Sequence, residues 1–122
     1  MGPRRILLVE DEGALLALIK RHLERSGHTV VASMSAEAAE EELAAGAWAP
    51  ELLITDQTLP GETGAMLAAR LVGRFPLLYC LVCSGYPLSP DEIPGVDRSR
   101  LGILQKPYSP AGLDQAIAEL GI

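Results

Sequence analysis

Apolar residues gather along the chain into five short runs: Ile6 to Val9, Thr29 to Ala32, Leu52 to Thr55, Leu77 to Cys83 and Gly102 to Gln105. Between them lie segments whose apolar positions recur at helical spacing. Alternation on this scale predicts repeated β-α-β units and a parallel sheet. The first, third and fourth runs are almost unbroken in their apolar character, as strands covered on both faces must be, so they are expected at the centre of the sheet.

The intervening segments carry helix punctuation. Leu15, Leu16, Ile19 and Leu23 share one helical face, and Ser26-Gly27 stops that helix. Ser35 is placed to cap a second helix, with Glu37 in its first turn and an end near Gly46. Met66, Leu67, Arg70 and Leu71 predict a third, closed by Gly73. Ser109-Pro110 supplies a cap and then a proline at the first helical position, starting a last helix that runs through Leu120. Where a fourth helix belongs, "PLSPDEIPGVDRSRLG" spreads Pro87, Pro90, Pro94 and Gly95. Proline in a helix interior costs about 3 kcal/mol, so one or two turns from about Pro90 to Ile93, followed by loop, are expected there.

A length of 122 residues suits one domain over 1–122, with no attached output domain expected. Hydrophobic residues make up 48% but aromatic ones only 4%, so the core must be built from Leu, Ile, Val and Ala. Ten Lys and Arg against 16 Asp and Glu leave a net charge of -6, which argues against direct binding of nucleic acid and for a cationic partner. No apolar run approaches the roughly 18 residues that span a bilayer, no secretory signal opens the chain, and Ile6 stands where myristoylation needs a hydroxyl. A cytoplasmic protein without membrane attachment is expected. Cys80 and Cys83 lie in a strand-like run, where residues three apart point to opposite faces about 10 Å apart, beyond the roughly 7 Å Cα reach of a disulfide. Two inert, buried thiols are expected.

The first apolar run ends abruptly in "EDE", three consecutive carboxylates. In a doubly wound parallel sheet, ligands bind beyond the carboxyl ends of the strands. Glu10, Asp11 and Glu12 follow strand one and Asp56 ends strand three, so these acids converge if the two strands are neighbours. Converging carboxylates raise one another's pKa unless a cation stabilises the charged forms, and Mg²⁺ suits an all-oxygen site that also handles phosphate. Strand four ends at Ser84 and strand five at Lys106. An acidic pair, a lone Asp, a hydroxyl and an ammonium on four strand ends form a constellation for handling a phosphoryl group.

Five blocks, "LLVEDE", "ELLITD", "LPGETG", "CSGY" and "LQKP", occur in this order, and with them the chain resembles a response-regulator receiver domain of two-component signalling over essentially its whole length. The "SGY" and "LQKPYS" wording is similar to receivers fused to, or partnered with, hybrid sensor kinases. The resemblance implies an α/β fold: a flavodoxin-like, doubly wound, five-stranded parallel sheet of order 2-1-3-4-5, here with the fourth helix short or disordered. It implies that Asp56 accepts phosphate and that Asp11 holds Mg²⁺ directly, Glu10 mainly through water and Thr58 through its backbone carbonyl. Ser84 would bond the new phosphoryl oxygen, Lys106 would pair with it, and Pro107 would follow a cis peptide. Thr58 and Tyr86 occupy the positions that modulate phosphate loss.

The partners implied are a histidine kinase or a histidine phosphotransfer protein, with the domain itself a monomer or weak dimer. The chain would be a phosphoacceptor that promotes its own phosphotransfer and dephosphorylation rather than an enzyme acting on free substrates. Receivers commonly carry Tyr or Phe three residues before the lysine, where this chain has Ile103. An aliphatic residue cannot swing a ring between core and solvent, so a mobile loop after Ser84, ordered by phosphorylation, is expected to carry the switch instead.

Blander readings accompany several residues. Glu12 suits a helix start, His22 and His28 suit solvated positions, Trp48 suits a cover on the sheet edge, and Gly61 and Gly64 suit the turn after strand three. Two other functions are weighed. One is a pseudo-receiver that binds a partner without phosphorylation, which the intact acids, Ser84 and Lys106 disfavour. The other is a magnesium-dependent phosphohydrolase, for which 122 residues leave no cap or substrate pocket.

Overall fold

The structure is a computed structural model that describes residues 2–46 and 48–122. Its strands are β1 (Arg5–Val9), β2 (Thr29–Ser33), β3 (Leu52–Asp56), β4 (Tyr79–Ser84) and β5 (Leu101–Gln105). They form one all-parallel sheet in the order β2-β1-β3-β4-β5, with Ile6 beside both Val30 and Leu52. The helices among the described residues are α1 (Gly13–Arg25), α2 (Ala36–Ala45), α3 (Gly64–Arg74) and α4 (Pro110–Glu119).

Strand alternation divides the core in two. Ile6 and Leu8 face α1 and α4 together with Ile54, Leu81 and Leu113, while Leu7 and Val9 face α2 and α3 together with Leu53, Val82 and Leu67. All five residues of β3 are buried, as a strand covered on both faces requires. The same alternation puts Cys80 in one core and Cys83 in the other, both as free thiols that burial pushes up to about 12.

Local chemistry sets most helix ends. Ser35 accepts a hydrogen bond from the Ala38 N–H at 3.0 Å, Thr63 from Met66 at 3.2 Å, and Ser109 from Gly112 at 3.0 Å with Pro110 behind it. Helix α3 runs on through Gly73 to Arg74 and stops before Pro76, so proline rather than glycine closes it. Strand β4 starts at Tyr79 instead of Leu77, because the Leu78 N–H turns back onto the Phe75 carbonyl at 3.0 Å. That turn leaves Leu77 73% exposed.

In the proline-rich interval the structure has two 3-10 turns, Pro90–Glu92 and Arg98–Arg100, the second of which the sequence pattern does not signal. The segment is more than bare loop, since Ile93 and Val96 are buried in the α3-side core. Trp48 packs against that same core. His28 is a clear correction: it is buried rather than solvated, and its Nδ1 accepts the Arg4 backbone N–H at 3.0 Å. His22 is also engaged, with Nε2 2.9 Å from Asp114 Oδ1.

Gly64 opens α3 directly against β3, and any Cβ there would collide with the Asp56 carbonyl oxygen and lie 3.0 Å from Thr55 Cγ2. Neither neighbour can yield without shifting the strand. Gly64→Ala is therefore expected to lower stability in urea unfolding by about 1–3 kcal/mol, whereas Gly73→Ala, with open space around it, should be neutral or stabilising.

Burial holds the His28 imidazole below its usual 6.5. Protonation would also turn the Nδ1 acceptor into a donor facing the Arg4 N–H. The unfolded chain takes up a proton near 6.5 that the folded chain refuses, so this stability is complete above 6.5 and is lost progressively as the pH falls toward the folded value. Between pH of about 7.5 and 5.5 the protein should lose about 1 kcal/mol in urea titrations; His28→Asn, which keeps an acceptor but cannot titrate, should flatten that dependence.

Candidate functional site

All five strands point the same way, so the loops after β1, β3, β4 and β5 meet at one edge. Backbone hydrogen bonds pin that edge together: Glu10 N–H to the Ser33 carbonyl at 3.0 Å, Gln57 N–H to Cys83 at 2.8 Å, and Lys106 N–H to Ser84 at 2.7 Å. Glu10, Asp11 and Asp56 each bring one carboxylate oxygen to within 4.8 Å of the others. Glu10 and Asp56 are buried; Asp11 is exposed.

Lys106 reaches into this group from β5. Its Nζ lies 3.0 Å from Glu10 Oε1 and 3.3 Å from Asp56 Oδ2. The second Glu10 oxygen accepts the Glu12 N–H at 3.1 Å. Burial raises the Glu10 pKa above 4.5, opposed by the Glu12 N–H and by Lys106, while the charge of Asp56 pushes the same way as burial. For Lys106, burial pulls downward but is outweighed by Glu10 and Asp56, so the ammonium is held more firmly than in water. Three carboxylates around a single ammonium leave two negative charges uncompensated.

A cavity of about 500 Å³ opens beside these groups, lined by Asp56, Thr58, Gly85, Lys106, Pro107 and Tyr108 among others. The Lys106–Pro107 peptide is cis. Thr58 is exposed on the loop after β3, where it bridges to Thr63, and Gly61 in that loop adopts φ +82°, a conformation open to glycine.

Ser84 is not joined to the cluster. Its buried hydroxyl donates to the Tyr86 carbonyl at 2.7 Å and accepts the Tyr86 N–H at 3.2 Å. Tyr86 itself is exposed. Ile103 is half-buried against the α3-side core. Glu12 stands at the start of α1 without a side-chain capping bond, outside the acidic triad.

Two residues at this edge escaped the sequence pattern. Gln57 is buried, its carbonyl accepting the Gly64 N–H at 2.9 Å and its side-chain oxygen the Ala65 N–H at 2.8 Å, so it fixes the loop that carries Thr58. The only signal was a polar residue directly after an apolar strand. Tyr108 lines the cavity and contacts Cys83, and burial raises its phenol well above the usual range.

Comparison with known proteins identifies the family. Residues 6–118 match the response regulator receiver domain family, and the chain belongs to that family. Response regulator protein FleR of Pseudomonas aeruginosa is 32% identical over 114 residues, covering 93% of this chain and 24% of that protein. The alkaline phosphatase synthesis transcriptional regulatory protein PhoP of Bacillus subtilis is 27% identical, covering 88% and 44%. The chain thus spans less than half the length of these curated relatives.

Among solved structures, the response regulator receiver protein from Sinorhizobium medicae superimposes with a TM-score of 0.82 at 29% identity, covering 97% of this chain and 94% of that one. The receiver domain from hybrid histidine kinase CckA gives 0.77 at 28%, covering 95% and 97%. Among the described residues, no helix is long and apolar enough to cross a membrane.

Replacing Lys106 with Met would leave Glu10 and Asp56 facing each other without their ammonium. Stability at neutral pH is expected to fall by about 1–3 kcal/mol, discounted from a fully buried pair because the lysine side chain is 22% exposed. In urea titrations the deficit should shrink as the pH falls toward the ordinary glutamate value of 4.5, because burial raises Glu10 and lets it take up its proton sooner than an exposed glutamate.

Proposed function

We propose that residues 1–122 act as a phosphoacceptor receiver domain that takes a phosphoryl group from a phosphohistidine onto Asp56 and thereby changes its partner interactions. The observation that carries this reading is the single ammonium of Lys106 shared between Glu10 and Asp56 beside the exposed carboxylate of Asp11. In the transfer, an Asp56 carboxylate oxygen forms a bond to phosphorus as the nitrogen–phosphorus bond breaks. The imidazole nitrogen departs with the electron pair. Lys106 then pairs with the transferred oxygens, offsetting charge at the point where it develops.

The donor set fits Mg²⁺: it is all oxygen, its deficit is two charges, and its three carboxylate oxygens lie within 4.8 Å of one another. Asp11, Asp56 and the Thr58 carbonyl would hold the ion, with Glu10 acting through water. When bound, it supplies charge neutralisation at the phosphoryl oxygens.

Ser84 supplies the switch in this reading. A phosphoryl group on Asp56 competes for the hydroxyl that now bonds the Tyr86 backbone, and winning it would draw Ser84 and the loop after it inward, ordering the start of the 85–100 segment on the phosphoryl group. Ile103 offers no ring to report the change, so the Ser84-to-Tyr86 bonds and the two 3-10 turns carry it. Thr58 lines the cavity beside Asp56, and Tyr86 is exposed two residues after Ser84; in this reading their side chains would tune how readily water reaches the phosphate. In this reading the physiological donor is a histidine kinase or histidine phosphotransfer protein, met in the cytoplasm.

The test is incubation with Mg²⁺ and a small acyl phosphate, followed by intact-mass measurement. One phosphoryl adduct is expected in the wild type and none in Asp56→Asn or after chelation of the metal. An adduct that survives Asp56→Asn overturns the assignment, and no adduct from either a small donor or a phosphorylated histidine phosphotransfer protein favours the pseudo-receiver.

A further inference from the structure

The opposite edge of the sheet, where the strands begin, holds a second cavity of about 520 Å³. Arg4, Arg5, Arg74 and Arg100 all line it, four of the ten Lys and Arg residues in a chain whose net charge is -6. Glu51 is the acidic residue in the lining, and it is already committed to Arg4 and Arg5 at 3.3 and 3.5 Å. Arg74 reaches Glu40 only at 3.7 Å and lies over the Phe75 ring, 5.2 Å from its centroid. Arg100 makes no ion pair among the described residues; the Leu77 carbonyl at 2.8 Å and the Tyr79 ring at 4.7 Å hold its guanidinium in place.

Two guanidinium groups are thus stacked on aromatic rings with donors to spare, a pre-organised arrangement for carboxylates. Between them the wall is apolar, formed by Phe75, Pro76, Leu78 and Tyr79. Leu77 stands out from that wall at 73% exposure, the most exposed large hydrophobic side chain among the described residues. A protruding leucine suits a partner that wraps it better than a small molecule that must be enclosed. The acidic cluster lies at the other edge of the sheet, so an acidic partner meets its attraction here and its repulsion there.

We infer that this edge is a docking surface for an acidic peptide segment of a partner protein, one that sets carboxylates on Arg74 and Arg100 and an apolar side chain against Leu77 and Tyr79. Glu51 fixes the orientation by keeping Arg4 and Arg5 occupied. Nothing in this site is shared with the phosphoacceptor reading, and either stands if the other fails.

The experiment is an amide chemical-shift titration of the labelled protein with acetyl-Glu-Leu-Phe-Glu-amide, its Gln-Leu-Phe-Gln counterpart, and inorganic phosphate. The acidic peptide should shift Leu77, Tyr79 and Arg100 while leaving Asp56 and Lys106 unmoved. The paired change Arg74→Gln and Arg100→Gln should weaken it about tenfold, and Leu77→Ser should do so separately, with circular dichroism unchanged. Equal binding of the uncharged peptide overturns the inference, as do equal shifts with phosphate alone, shifts confined to the acidic edge, or no shift at all.

Discussion

The contact of Lys106 with Glu10 and Asp56 is the interaction on which the rest of the carboxyl edge depends. It ties β5 to β1 and β3 across the sheet, and it is what allows two carboxylates to lie buried within reach of each other. Parallel topology makes it possible. An antiparallel arrangement would send alternate strand ends to opposite edges, and the three groups would never meet. The cost is desolvation of charged groups, visible in the raised Glu10, and the remedy is incomplete because one ammonium balances only one of three acids. An edge left in that condition is prepared for a further cation.

Around this centre the structure separates parts that are held firmly from one that is not. Gly64 packs its backbone against Asp56, and Gln57 braces the same loop twice, so the acceptor strand has little freedom. Ser84 is different. Its hydroxyl spends both bonds on the backbone two residues ahead, a local arrangement that one side-chain rotation undoes. The segment beyond it is anchored by Ile93 and Val96 rather than by a continuous helix, so its middle is fixed to the core while its start depends on Ser84.

Much of this was legible in the chain. Sheet composition, the burial of β3, the caps at Ser35 and Ser109 and the separation of the two cysteines all follow from spacing and residue type, which act locally. The order of the strands came from resemblance, and the sheet and family comparison bear it out. Boundaries were less secure where two local signals competed. Leu77 looks like strand in an apolar run, yet the turn made by Leu78 and Phe75 removes it from the sheet; Gly73 looks like a stop, yet α3 continues one residue past it. His28 was misread because its partner, the Arg4 N–H, is 24 residues away and spacing does not reveal it. The bonds of Ser84 were equally hidden, since a rotamer is chosen by its surroundings and not by its position in a motif.

Charge is sorted along the sheet in a way that no single motif announces. Acids gather where strands end and helices begin, as at Glu10, Asp11 and Glu12 before α1 and Glu37 at the start of α2. Cations stand at the ends of two helices, Arg25 in α1 and Arg74 in α3, while α2 and α4 carry none in their last turns. In a β-α-β chain every helix runs opposite to the strands, so all helix N-termini share the acidic edge and all C-termini the basic one. The helix dipoles favour that distribution at both edges, by roughly 0.3–1 kcal/mol for a well-placed charge. One topology therefore explains two surfaces: an acidic edge that attracts a cation and a phosphoryl group, and an arginine-rich edge that attracts carboxylates. In a protein with net charge -6, the cationic face lies a strand's length from the acidic edge, and each edge holds one counter-charge, Glu51 among the arginines and Lys106 among the acids.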